Sequence, residues 1–200
     1  MAYRRTDQII AKLGQTRRAI LTAAHTLVAE GGFSAVQMTE VARRADLATG
    51  TLYRYFPAKE DLCRQVYREI AARELKLLAS LQAGDGPASE RLAAALRLFA
   101  TRAARGQRVA HALLIEAVDP ALEEERKAFR RAQGEIFSML LQGGMSEGSV
   151  SACDAAASAA ALMGAITGAL VATPDSGANT SKESTIEETL RFCHAAIGLS

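Results

Sequence analysis

Apolar residues return at intervals of three and four along the whole chain, and nowhere does the alternation of a half-buried strand replace that rhythm. The pattern predicts an all-α fold of about nine helices. A first helix is expected over residues 15–30, with Ile20, Ala24, Leu27 and Val28 on one face, closed by Gly31-Gly32 before Phe33 re-enters the core. Two short helices follow near residues 38–45 and 49–55, so close together that a sharp angle must separate them. A longer helix over residues 59–81 repeats Leu62, Val66, Ile70, Leu77 and Leu81 at turn spacing, a rod of about 35 Å. Gly84-Asp85-Gly86-Pro87 stops it. Helices are expected next over residues 89–104, 109–117 and 120–142. The last is opened by Asp119 as N-cap, Pro120 at the first helical position, and Glu123, Glu124 and Glu125 against the positive helix end. An Ala-rich helix over residues 150–172, a polar loop over 173–182 and a final helix over 184–197 complete the chain. No solenoid repeat is present, so the core must close in three dimensions.

With 49% hydrophobic and 23% charged residues in a chain of 200, there is apolar material for one good core or two small ones. Cys63, Cys153 and Cys193 form no CxxC pair, and the first nineteen residues lack the apolar run of a secretory signal, so a reducing, cytoplasmic setting is expected. Residues 155–172 are uncharged but dominated by Ala and Gly, which favours a buried or interface helix over a membrane span. His25, His111 and His194 have no ligand spacing with each other or with the cysteines, so neither metal nor cofactor is expected, and His25 reads as structural. Gly144-Met145-Ser146-Glu147-Gly148 matches the GxSxG nucleophile elbow, yet that elbow needs a strand before it; an interhelical turn and no enzymatic activity are expected. The glycosylation sequon Asn179-Thr180-Ser181 has no consequence in the cytoplasm.

Charge is uneven. Residues 1–70 carry eleven Lys and Arg against seven Asp and Glu, while the remainder is slightly acidic, an asymmetry that suits a nucleic-acid-facing first unit or a solvated surface alike. Within that unit, residues 38–56 read MTEVARRADLATGTLYRYF. Leu52 and Phe56, four residues apart, turn inward; Thr49, Gly50, Thr51, Tyr53, Arg54 and Tyr55 are left around the rim and outer face. Hydroxyls and phenols donate to phosphates, Thr methyls meet thymine methyls, Arg reaches guanine, and Gly50 permits close backbone approach. From spacing and composition alone, a major-groove reader and a plain helical hairpin with a polar surface fit equally well.

In residues 17–62 the chain resembles the tetracycline-repressor (TetR) family of one-component regulators. RRAILTAAHTLVAEGGF, then ADLATGTLYRYF, then PAKEDL stand in the order and spacing of that family's DNA-binding domain. The resemblance implies a helix-turn-helix domain over residues 1–58 and a ligand-binding and dimerisation domain over 59–200. It implies that Tyr53, Tyr55 and Lys59 contact phosphates of double-stranded DNA, and that Thr49, Thr51, Gln37 and Thr39 read bases or adjacent phosphates, with Arg54 a further candidate. Asp46 replaces the usual turn Gly, and Ala48 and Ala58 replace usual Ser caps, each missing cap oxygen costing about 1 kcal/mol. Thr49 offers a substitute cap. Arg4, Arg5 and Lys12 form a short basic arm or a disordered tail, and Arg17 and Arg18 are better placed for phosphates.

Beyond residue 75 the resemblance implies architecture more than motifs. The last two helices would build a homodimer interface, with Ala157, Ala161, Gly164, Ala165 and Gly168 permitting close approach and Leu162, Ile166, Leu170, Leu190 and Ile197 filling the seam. Intrachain packing is the competing role for them. Phe99, His111, Ile115, Phe129, Phe137 and Met163 form the candidate pocket, suited to a small hydrophobic effector such as an acyl chain, an aromatic compound or a drug-like molecule. The implied activity is repression from a pseudo-palindromic operator, read by two recognition helices about 34 Å apart and released by ligand. The alternative is a helical ligand-binding or interaction protein without specific DNA binding.

Overall fold

The computed structural model of the chain describes residues 2–172 and 181–199, with side chains from residue 9 onward. Nine α-helices and no strand occur among these residues: α1 (Ala2–Gly31), α2 (Met38–Arg44), α3 (Thr49–Tyr55), α4 (Lys59–Gln82), α5 (Ala88–Arg105), α6 (Gln107–Leu114), α7 (Pro120–Ser146), α8 (Ala155–Thr167) and α9 (Lys182–Ile197). A 3-10 turn spans Phe33–Ala35 and a π-helical turn spans Gly168–Ala172. Asp119, Asp154 and Ser181 are genuine N-caps. The Asp119 Oδ1 accepts the Ala121 and Leu122 amides at 2.9 and 3.1 Å, Asp154 does the same for Ala156 and Ala157, and the Ser181 hydroxyl accepts the Ser184 amide.

Several boundaries differ from the periodicity. Helix α1 begins at Ala2 rather than near residue 15, because Gly14 costs a helix interior only about 1 kcal/mol and no proline interrupts the good helix formers before it. Gly143-Gly144 does not end α7, which runs on to Ser146. A Cβ on Gly143 would sit 2.9 Å from that of Ala88, and one on Gly144 2.5 Å from Val150 Cγ2, so these glycines admit close neighbours rather than stop the helix. The GxSxG serine is therefore the last residue of a helix, and its hydroxyl donates to the Gln142 carbonyl at 2.9 Å. Glu147 accepts the Ala88 amide at 2.7 Å, capping α5 from a distance where Pro87 has no side-chain acceptor. Helix α8 waits for Asp154 and gives way to the π turn at Gly168.

Helix α6 ends at Leu114, short of the expected residue 117, and α7 shows the cause. The buried guanidinium of Arg126 donates to the carbonyls of Leu113 (3.0 Å), Ala112 (3.3 Å) and Glu116 (2.5 Å) and to the Glu123 carboxylate (2.8 Å), taking over the exposed end of α6. The body of the fold is α4, α5 and α7 packed on one another, with α8 against α7 and α9 against α5. The α1–α3 unit is mounted on it through α4 and α6. Its core residues Ile20, Leu52 and Phe56 join those of α4, Leu62 and Val66, in one continuous apolar cluster. Residues 155–172 are apolar enough by length and mean hydropathy (1.8) to cross a membrane. Here they place Ala159, Leu162, Ile166 and Leu170 in the core. The expected polar loop falls almost wholly on 173–180, outside the described residues, as do Asn179 and Thr180 of the sequon.

Candidate DNA-binding surface and ligand cavity

Helix α3 is held by Leu52 and Phe56, both buried, so its opposite face has no choice but to point outward. The turn before it closes with the Leu47 amide donating to the Ala42 carbonyl at 2.9 Å, which carries Asp46 to φ 54. Asp46 is the single non-glycine residue with positive φ among those described. Ala48 itself is the N-cap of α3, with no side-chain oxygen; its carbonyl takes the Thr51 amide at 2.8 Å, and Thr49 stands at the first helical position instead of substituting as the cap. On the outward face Tyr53 is 47% exposed and Arg54 is exposed, with Thr49, Thr51 and Tyr55 half-buried beside them. No atom lies within 4 Å of where a Gly50 Cβ would be. Gly50 therefore serves no close approach inside the protein and leaves bare backbone on the open face. Gln37 caps the start of α2 without a side-chain bond to it and donates to the Ser34 carbonyl at 3.4 Å; Thr39 is exposed, and half-buried Lys59 opens α4.

The basic residues of this unit divide into two groups. Arg43 and Arg44 are tied down by Glu40, and Arg44 also by Glu30. Hydrogen bonds from Arg43 and Arg44 lower the Glu40 carboxyl to a pKa of about 2. Arg17, Arg18, Arg54 and Lys59 have no ion pair among the described residues, and Arg17 lies over the Phe56 ring at 5.3 Å. The side chains of Arg4 and Arg5 lie outside the described residues, while the backbone there is helical and carries Lys12 on α1.

A cavity of about 510 Å³ opens between α1, α4, α5, α6 and α7. Leu78, Leu98, Phe99, Val109, Leu113 and Phe129 form its apolar walls. Four of its five titratable groups are paired: His25 Nε2 meets Glu69 Oε2 at 2.9 Å and Arg102 pairs with Glu74, while Arg73, exposed at the rim, has no ion pair among the described residues. Burial pushes the Glu69 carboxyl upward, but hydrogen bonds from Gln65 and His25 outweigh it and hold the pKa below the usual value. Of the six residues expected here, Phe99 and Phe129 stand on the wall. Phe137 lies wholly buried behind Phe99, ring centroids 6.2 Å apart. His111 is exposed in a separate cleft beside Arg108 and Glu116, Ile115 is half-buried after the end of α6, and Met163 sits in a surface groove between α7 and α8. Periodicity did not point to His25, Ala29 or Gln133, which do line the cavity. Gln133 left a signal: a polar residue midway between Phe129 and Phe137 on the core stripe of α7.

Residues 20–66 match the family described as bacterial regulatory proteins, tetR family, and residues 85–171 match the tetracyclin repressor-like C-terminal domain. The chain belongs to the tetR family. It is 45% identical over 74 residues to the HTH-type transcriptional repressor KstR of Mycobacterium tuberculosis, a match covering 36% of the chain and only 34% of that repressor's length. The fold is similar to that of the transcriptional regulator FadR from Bacillus subtilis in complex with stearoyl-CoA, with TM-score 0.75, 20% identity, and 90% and 99% of the two chains covered. It is also similar to that of a regulator from Saccharomonospora viridis in complex with choline, with TM-score 0.79, 19% identity, and 92% and 98% covered.

In this tetR-family chain two physical links join the cavity and the α1–α3 unit. The first is aromatic: Phe129 on the cavity wall meets Tyr67 of α4 edge-on at 6.4 Å, and Tyr67 stacks on Phe33 at 5.9 Å. Tyr67 also donates to the Leu113 carbonyl of α6 at 3.1 Å. The second is polar: just beyond α6, Glu116 accepts the Phe33 and Ser34 amides at 2.9 and 2.8 Å. Gly32, at φ 78, makes room, since a Cβ there would fall 2.4 Å from the Glu116 carboxylate.

The last two helices divide differently from expectation. Ala157, Ala161, Gly164 and Gly168 are exposed and Ala165 is half-buried, with open space at the Gly164 and Gly168 Cβ positions. Leu190 and Ile197, expected to fill a seam between subunits, are buried within the chain at 2% and 4% exposure, together with Leu162, Ile166 and Leu170. These large side chains close the core against α5 and α7, and the large apolar side chain left outside on α9 is Phe192, 63% exposed.

Proposed function

We propose that this chain is a dimeric, cytoplasmic DNA-binding repressor, with residues 1–58 as the reading unit and residues 59–200 as the ligand-binding and dimerisation unit, and without catalytic activity. The observation that carries the reading is the outward face of α3: exposed Tyr53, Arg54 and bare Gly50, with Arg17 over Phe56 and Lys59 at the start of α4, none of these cations in an ion pair among the described residues. Tyr53, Tyr55, Lys59, Arg17 and Arg18 hold phosphates; Thr49, Thr51, Arg54, Gln37 and Thr39 meet bases or the phosphates beside them. The similarity to the KstR repressors, 45% identity over 74 residues and 56% over 48, supports the sign of regulation.

A small apolar effector enters the cavity between α4 and α7. The FadR of Bacillus subtilis holds stearoyl-CoA on the same fold, which supports a ligand of apolar body. Displacing Phe129 or the end of α6 acts on Tyr67, Phe33 and Glu116, and so on the mounting of α1–α3. A ligand changes the DNA-binding population only through its different affinity for the two arrangements, and a shift from mostly bound to mostly free requires about 5.5 kcal/mol.

Titrating the purified protein onto duplex DNA flanking its own gene tests the reading. The expected result is a sequence-selective shift that weakens steeply with salt, and about tenfold weaker binding by Tyr53→Ala with an unchanged fold. Equal affinity for random duplex overturns it.

A further inference from the structure

Gln133 is 2% exposed, lines the cavity, and makes no hydrogen bond among the described residues. The amide has no protein partner and opens on the cavity, so only solvent or a ligand there can match it, and native proteins place such a group among apolar walls rarely and for a reason. Every charged group around it is in a different position: His25 faces Glu69, Arg102 faces Glu74, and Arg73 stands exposed at the rim. The interior of the cavity therefore presents apolar walls and one unspent amide, which both donates and accepts.

We propose that the cavity takes an uncharged apolar molecule whose buried end carries a single hydrogen-bonding group, a ketone, ester, amide or hydroxyl, received by Gln133. This rests on the reading of the cavity as the effector site. A carboxylate at the same place would lose its hydration with no free cation beside it, because the Arg102 guanidinium is engaged by Glu74 and unpaired Arg73 stands exposed at the rim. An aliphatic hydrocarbon would fill the walls and leave Gln133 unmatched. Discrimination by such a site is strong, since a polar group built to be satisfied penalises the ligand that cannot satisfy it. Phe99 and Phe129 on the walls favour a flat or ring-containing body beside that group.

Two fluorescent probes of one skeleton separate the outcomes: 6-propionyl-2-(dimethylamino)naphthalene, an uncharged ketone whose emission moves to the red when its carbonyl accepts a hydrogen bond, and 6-(dimethylamino)-2-naphthoate, its carboxylate counterpart. The wild-type protein is expected to bind the ketone at least about tenfold more tightly than the carboxylate. Gln133→Met keeps the volume and removes the amide. It should weaken ketone binding about fivefold or more and shift the bound emission to the blue. The unliganded variant should melt about 2–4 °C higher, where a purely structural glutamine would give a lower melting temperature. Gln133→Leu is the second apolar variant should Met fail to fold, and Ala110→Phe, which fills the cavity, should abolish binding of the ketone. Equal or tighter binding of the carboxylate, no binding of the ketone, or an unchanged affinity and emission in Gln133→Met overturns the proposal. DNA release is followed separately by anisotropy of a labelled operator duplex. A ketone that binds with the Gln133 signature yet leaves DNA bound overturns release by ligand and leaves the recognition standing.

Discussion

The Glu116 carboxylate takes two backbone amides of the Phe33–Ala35 turn while the residues just before it, Leu113 and Leu114, line the cavity. Charge-assisted bonds of this kind are worth about twice a neutral one, and stranding the part-buried Phe33 amide costs about 1–3 kcal/mol, while the exposed Ser34 amide can turn to water. Glu116→Ala is expected to leave effector affinity close to wild type while reducing the effect of effector on DNA binding, measured by comparing operator dissociation constants with and without ligand. Undiminished coupling in that variant would assign the link to the aromatic chain instead. At the same scale, burial raises the Cys63 thiol to a pKa of about 11 and moves Cys193 and the Tyr67 phenol upward as well. All three are neutral when buried, so a folded pKa above the unfolded value means stability fully present below about pH 9 and lost as pH rises toward 11. Thermal melts at pH 7, 9 and 10.5 should show that decline, and iodoacetamide at pH 8 should modify half-buried Cys153 well before Cys63 or Cys193.

The α2–α3 turn is the element where local chemistry and tertiary demand disagree. Asp46 occupies a left-handed conformation that costs an L residue about 1–2 kcal/mol, and Ala48 and Ala58 cap α3 and α4 without a side-chain oxygen. These deficits persist because Leu52, Phe56 and Leu62 bury their side chains completely or nearly so, each worth about 1.5–3 kcal/mol. Asp46→Gly should therefore raise the melting temperature by about 2–4 °C, and Ala48→Ser should add a smaller rise; a drop in either variant would mean that the turn is not strained. Capping explains what the pattern revealed elsewhere. Asp119-Pro120 was legible because the cap sits next to the apolar stripe it begins. Asp154 was not, because the Ala-rich run around it has too little periodicity to mark a start.

For the whole molecule, the exposed small-residue stripe of α8 and the outward Phe192 of α9 are what remains for a second copy once the core has taken Leu190 and Ile197. Ala161→Asp with Phe192→Asp alters only exposed positions, so the fold should be retained while the protein runs as a monomer by light scattering. A monomer presents one reading unit, and its operator affinity should fall at least about a hundredfold. A double variant that remains dimeric would place the interface on another face.

Helix number, the helix-turn-helix and the inward residues of α1 and α3 were determined by the sequence alone, because they depend on local periodicity and on interactions within one or two turns. The family was legible for the same reason, its motifs lying within residues 17–62. What only the tertiary structure decided was the destination of each apolar face. Phe137 and Phe99 share one chemistry, yet one closes the core and the other lines the cavity; Leu190 and Gly164 stood as candidates for one interface, yet only the glycine faces outward. Gln133, His25 and Glu116 acquire their meaning from partners or empty space contributed by helices far away in the chain. Periodicity records that a side chain is turned from water; which neighbour or cavity receives it is fixed by how the helices pack.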